Sequence, residues 1–163
     1  PFDTYIIADS VKTIGDSAFF ESFVKKIIIG DGVETIGPHA FRSCWYLKEL
    51  EIGKSVKTIG NLALLHCDDL ETITVDSENQ YFSSDEFGVL FNKDKTTLIL
   101  CPSSCEMETY TIPGTVTTIK ADAFAMQFGY NNIYYYKGYK FNTTSNKLPT
   151  LSSQRAKLST LKK

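Results

Sequence analysis

Val33 to Gly60 reads VETIGPHAFRSCWYLKELEIGKSVKTIG, and its last five residues restate its first five with a single change. A phrase that returns at a fixed interval marks a chain built from copies of one unit, so repetition decides the fold before any single residue does. Working outward, the phrase starts four times, at Val11, Val33, Val56 and Val116, with steps of 22, 23 and 60 residues. The copies are Val11, Ile14, Gly15, Ala18, Phe19; Val33, Ile36, Gly37, Ala40, Phe41; Val56, Ile59, Gly60, Ala63, Leu64; and Val116, Ile119, Lys120, Ala123, Phe124. Each ends in a short alternating stretch: Val24, Ile27, Ile29; Leu47, Leu50, Ile52; Leu70, Ile73, Val75; and Tyr130, Ile133, Tyr135. The same ending precedes the first copy as Tyr5 and Ile7, and the last as Tyr110 and Ile112.

The ending has period two. Leu50 and Ile52 face one way and Glu49 and Glu51 the other, the pattern of a half-buried strand. The spacing differs in the phrase before it, where Ala40, Phe41 and Cys44 recur at one, three and four residues and predict a tight helical turn. A unit of about 23 residues made of one strand and one such turn cannot bury its own apolar side, so it must stack on its copies. The expected fold class is therefore α/β: a solenoid with short parallel strands on a concave face and short helical turns on the convex face. Val and Ile suit the extended parts, and Gly15, Gly37 and Gly60 would permit corners with positive φ. Lys120, at the same position, is expected to disturb the last corner.

V-x-x-I-G-x-x-A-F-x-x-C-x-x-L-x-x-L-x-I, from Val33 to Ile52, resembles the BspA-type leucine-rich repeat. The insertion resembles the longer unit interleaved with such repeats: ENQYFSSDEFGVLFNKDKTTLILCPSS, Glu78 to Ser104, followed by YTIPGTVTTI. The resemblance covers about residues 4 to 136. Ser22 and Gln127 depart from the cysteine of Cys44 and Cys67, and Leu64 from phenylalanine. The common leucine-rich consensus is not followed, since Ser55 and Lys57 stand at its Asn/Cys and following leucine positions, so no asparagine ladder is expected. What the resemblance implies is extracellular display in a bacterium or protist, with adhesion as the associated role.

The domain reading is a leucine-rich repeat domain over 1–136, with a hairpin-containing insertion at about 76–108, and a basic cap or tail over 137–163. Gly88–Phe91 and Thr97–Leu100 flank NKDKT and read as a β-hairpin. All 19 Asp and Glu lie at or before Asp122, and the end from Lys137 to Lys163 holds no acid. That end reads as a solvated basic segment, or one drawn to an anionic surface. Leu148, Leu151, Leu158 and Leu161 on one side of a weak helix would cap the last coil's edge, or the segment is disordered. Tyrosines crowd Lys137 and Lys140, but Tyr130 and Tyr135 face the core by phase, so nucleic acid is not an expected partner. No apolar run is long enough to span a membrane, and no leader is visible.

Candidate chemistry is sparse. Cys44 and Cys67 occupy one slot in consecutive copies, roughly 5 Å apart, within disulfide range, yet equivalent side chains point the same way and buried thiols are expected. Cys101 and Cys105 in CPSSC could close a small ring, but C-x₃-C without a partner pair is weak zinc evidence. His39 and His66 share no register, and a Cys–His nucleophile pair needs both groups on one exposed surface. No phosphate-loop, dinucleotide, zincin or serine-elbow motif occurs, nor an EF-hand loop, so no catalytic residue, metal ligand or cofactor is expected. NTT at Asn142 is a glycosylation sequon if the chain is secreted by a eukaryote.

A binding face remains. Outward residues of the strands fall into two columns: Thr4, Lys26, Glu49, Thr72, Thr109, Asn132, and Ile6, Ile28, Glu51, Thr74, Thr111, Tyr134. Exposed isoleucines on a polar ladder point to contact with a partner, although threonine columns also suit cross-strand pairing. The expected ligand-binding set is Ile6, Lys26, Ile28, Glu49, Glu51, Thr72, Thr74, Thr109, Thr111 and Tyr134. The expected function is that of a non-catalytic, monomeric adhesion module, at the cell surface or secreted, that binds a protein or glycan. The alternatives are a spacer or stalk, or the accessory region of an enzyme.

Overall fold

The computed structural model describes residues 3–104, 109–124, 133–136 and 139–142. In chain order the strands are β1 (Thr4–Ile7), β2 (Thr13–Ile14), β3 (Lys26–Ile29), β4 (Thr35–Ile36), β5 (Glu49–Ile52), β6 (Thr58–Ile59) and β7 (Thr72–Val75). They continue with β8 (Phe82–Ser84), β9 (Leu90–Asn92), β10 (Thr97–Leu100), β11 (Thr109–Ile112), β12 (Thr118–Ile119), β13 (Ile133–Tyr136) and β14 (Tyr139–Asn142). Each of the first three coils contributes a four-residue strand and, after a turn, a two-residue strand, and β11 and β12 repeat this. The long strands stack in parallel as β1-β3-β5-β7 and the short ones as β2-β4-β6. Register is what the repeat offset requires, with Leu50 opposite Ile27 and Ile73, and Ile36 opposite Ile14 and Ile59.

The described residues contain no helix, which corrects the α/β expectation: this is a β-solenoid. Backbone hydrogen bonding explains why. In the first coil Ala18, Phe20 and Ser22 donate within their own turn, to Gly15, Ser17 and Phe19, while Ser17, Phe19 and Glu21 donate to Pro38, Ala40 and Arg42 of the next coil. The second coil repeats this, with His39, Phe41 and Ser43 donating to Asn61, Ala63 and Leu65. Alternate N–H groups thus leave the turn, whereas a helix needs all of them directed along one axis. The left-handed backbone recurs at matching sites, Ser17 and Glu21, His39 and Ser43, Leu62 and His66, with φ from 54 to 62°. Tight turns in succession place Ala40, Phe41 and Cys44 inward just as a helical turn would.

The glycine corners are also corrected. Among the described residues Gly88 is the glycine with positive φ, at 74°. A Cβ on Gly37 would lie 2.8 Å from the backbone N of Asp16, and one on Gly60 2.3 Å from that of Pro38. These positions need glycine because successive coils nearly touch there. Nor is the last corner disturbed by Lys120. Its N–H donates to the Leu98 carbonyl at 3.0 Å and its carbonyl accepts from Ala123 at 3.0 Å, as Gly60 does with Ile36 and Ala63.

The insertion forms an antiparallel meander β8-β9-β10, and β10 then pairs in parallel with β12. The expected hairpin is present, and its second arm stands in for a short strand of the ladder, since Thr97 and Leu98 oppose Thr118 and Ile119. Among the described residues two apolar clusters result. One joins the first three coils through Ile27, Phe41, Leu50 and Ile73. The other joins insertion and last coil through Phe91, Leu98, Ile112, Val116 and Phe124. Tyr5, which phase places inside, is 48% exposed because β1 is the edge strand, although its ring still meets Phe19 edge-on at 5.3 Å.

Candidate binding face

The outer face of β1-β3-β5-β7 carries both predicted columns in register: Thr4, Lys26, Glu49, Thr72 and Ile6, Ile28, Glu51, Thr74. The columns do not continue as expected. β11 belongs to a separate sheet, β11-β13-β14, so Thr109, Thr111 and Tyr134 are not brought together with the other seven. In the gap the meander takes the edge of β7, where Ile73 donates to the Gly88 carbonyl at 3.3 Å and Val75 to the Ser84 hydroxyl at 3.1 Å. Thr111 is exposed. The side chains of Thr109 and Tyr134, and Asn132 entirely, lie outside what is described. So do Cys105, Gln127, Tyr130 and the predicted cap at Leu148, Leu151, Leu158 and Leu161.

Lys26 is the centre of this face. Its ammonium lies 2.8 Å from the Glu49 carboxylate and 2.6 Å from that of Glu51. Hydrogen bonds to Glu49 and then Glu51 hold it charged to above the usual lysine range. One cation between two carboxylates leaves a net negative spot. Beside it Ile6 is 67% exposed and Ile28 half-buried. Other inter-coil pairs, Lys48–Glu71 and Lys57–Glu34, both at 2.7 Å, lie on exposed flanks, where solvent and salt leave such pairs little net worth.

Sequence reasoning missed a second exposed group. Phe20, Phe23, Trp45 and Tyr46 all show their rings to solvent; Phe23 meets Tyr46 at 5.7 Å, and the Arg42 guanidinium lies 6.0 Å from the Phe20 ring centre. The signal was present in their separation of about one coil, but they sit between the positions that define the repeat.

The cysteines are where the repeat phase puts them. Cys44 and Cys67 are buried free thiols, donating to the carbonyls of Phe19 at 3.0 Å and Phe41 at 3.2 Å, each one coil back. Ser22 fills the same slot in the first coil, its hydroxyl 3.3 Å from the Cys44 sulfur. Burial pushes both thiols up from their ordinary range. Since the thiolate is the nucleophile, a soluble maleimide is expected to leave Cys44 and Cys67 unmodified in the native chain and to label both in denaturant, read by peptide mass spectrometry. Labelling of either without denaturant contradicts their packing role. His39 and His66 do not share a site with them; the His39 imidazole instead lies 3.7 Å from the Asp16 carboxylate. Among the described residues, no three His, Cys, Asp or Glu side chains converge as a metal site would require, and no helix is long and apolar enough to cross a membrane.

Residues 2–97 and 100–153 match the BspA type leucine rich repeat region, in six copies. The chain belongs to this family. No curated protein matches this BspA-type chain significantly. Among solved structures it is similar to a leucine-rich repeat protein from Eubacterium ventriosum, with 27% identity and a TM-score of 0.60 over 76% of this chain and 39% of that one. It is also similar to the pneumococcal vaccine antigen PcpA, at 24% identity and a TM-score of 0.42, over 82% of this chain and 44% of that one. The BspA-type chain thus spans about two fifths of the length of the solved proteins it matches.

Proposed function

We propose that this BspA-type repeat chain is a non-catalytic recognition module of a cell-surface or secreted protein, and that it grips a protein or glycan partner on the outer face of β1-β3-β5-β7. Membership of a family of surface repeat proteins supports the location. The observation that carries the binding face is Ile6, two-thirds exposed, in one column with Ile28 and Glu51 and beside the Lys26–Glu49–Glu51 cluster. An exposed aliphatic strip next to an excess carboxylate offers burial to an apolar group and a counter-charge to a basic one. A protein surface with a basic residue beside an aliphatic one fits that pairing best.

Beads coated with the full chain and scored for adhesion to host cells test the face. Ile28→Lys, Glu51→Lys and Thr74→Lys together are expected to lower adhesion about tenfold or more, because they reverse the charge and cover the strip. Raised salt is expected to weaken binding of the unmodified chain. A triple variant that adheres as well as the original would overturn this reading in favour of a spacer.

A further inference from the structure

The turn ladder ends before the chain does. Donors Ser17, Phe19 and Glu21 are received by the second coil and His39, Phe41 and Ser43 by the third. The corresponding donors of the third coil are Leu62, Leu64 and His66, whose backbone repeats the earlier turns, with φ of 55° at Leu62 and 62° at His66. Among the described residues no carbonyl receives them, although Ala63 and Leu65 make the usual bonds inside the turn, to Gly60 and Leu62. The insertion has left the ladder at this level: its Cys101 donates onward, to Ala123 of the last coil at 2.7 Å. Between the turn and the insertion lies an open cleft. Half-buried Leu62, Leu65, Ile99 and Leu100 line it, and exposed Lys120 and Asp122 stand at its rim.

We propose that this cleft is a second binding site, one that takes a short peptide segment of a partner protein by adding it to the turn ladder. Its occupant presents backbone carbonyls at every second residue to the N–H groups of Leu62, Leu64 and His66, as the next coil does for the two turns before. Small or aliphatic side chains of the segment cover Ile99 and Leu100. Charged groups flanking it meet Lys120 and Asp122, one of each sign. A partner strand completing an unfinished backbone ladder is an established mode of peptide recognition. Here the donors are fixed in position by a turn whose two earlier copies already make the same bonds. Nothing in this site overlaps the outer face of β1-β3-β5-β7.

The probe is the acetylated and amidated pentapeptide of residues 38–42, PHAFR, whose carbonyls at Pro38, Ala40 and Arg42 receive the first turn within the fold. Titrated into the ¹⁵N-labelled full chain, it is expected to shift the amide signals of Leu62, Leu64 and His66 and to slow their hydrogen exchange. Replacing the Ala–Phe amide of the probe by an ester weakens its central acceptor and is expected to weaken binding about fivefold. Ile99→Arg, which fills the cleft, is expected to remove the response; because that variant could also disturb the meander, the exchange of the unmodified chain stands as the independent measurement. Unmoved signals at all three amides at millimolar probe, equal binding of the ester probe, or shifts confined to Lys26 and Glu51 would each overturn the proposal.

Discussion

Replacing Gly60 with alanine is expected to destabilise the chain by about 3 kcal/mol, at the upper end of what overpacking usually costs, while the same change at Gly15 is expected to be neutral or mildly stabilising. The two residues occupy one position of the repeat and neither has positive φ. They differ in what lies beneath. A Cβ on Gly60 would sit 2.3 Å from the Pro38 nitrogen, 2.5 Å from the Gly37 carbonyl carbon and 2.7 Å from the Pro38 Cα. All three are backbone atoms, which cannot swing aside as a side chain would. Relief requires the coils to part where Gly60 N–H donates to Ile36 at 2.8 Å and where β4 pairs with β6. Gly15 meets nothing within 4 Å, so alanine there only restricts the unfolded chain, worth about 0.4–1 kcal/mol in favour of folding. Urea unfolding of both variants checks this, with the midpoint read at unchanged slope. Equal losses would mean that corner conformation, not the close approach of coils, sets the requirement for glycine.

The coil length, the strand register and the inward residues were legible in the sequence because a solenoid places the same side chain at the same point of every turn. Val33, Ile36, Leu50 and Ile52 announce their neighbours by recurring one coil later. Hydrogen-bond direction has no such signature. The left-handed sites are serine, glutamate, histidine and leucine, residue types with no shared preference, and so the alternation that excludes a helix was hidden behind a side-chain spacing compatible with one. The outward columns were legible only as far as Thr72 and Thr74. Beyond them the phase still placed Thr111 outward, but phase cannot tell that the meander takes the edge of β7 and starts a new sheet. Phe20, Phe23, Trp45 and Tyr46 escaped for the opposite reason: they are exposed between the repeating positions, where nothing in the fold fixes their identity.

Asn79 was the least legible residue, and changing it to valine is expected to cost about 4 kcal/mol. It stands 23 residues after Val56, at the slot held by Val11, Val33 and Val56, and its N–H donates to Asp76 at 3.0 Å as Val56 donates to Gly53. The interrupted step of 60 residues therefore begins as an ordinary coil with an amide in place of valine. Restoring valine would perfect the repeat, and pattern alone predicts a gain. Contacts predict the reverse. Asn79 is fully buried, its Nδ2 donates to the carbonyls of Gly53 at 2.9 Å and Val56 at 3.0 Å, and its Oδ1 accepts from the N–H groups of Tyr81 and Phe82, both at 2.8 Å. The amide ties the third coil to the first residues of the meander, at the place where the chain turns out of the solenoid. Valine keeps the packing but takes the partner from the Val56 carbonyl and from the Tyr81 and Phe82 N–H groups, and leaves the Gly53 carbonyl with the Val56 N–H alone; a backbone group buried without a partner costs about 1–3 kcal/mol. Asn79→Asp keeps an acceptor for both N–H groups yet sets a carboxylate against two carbonyls, so it is expected to lose at least as much at neutral pH. Thermal unfolding of the three chains separates the accounts: a valine variant as stable as the original would mean that the slot needs only apolar volume, and that the meander is held by β8, β9 and β10 without its amide anchor.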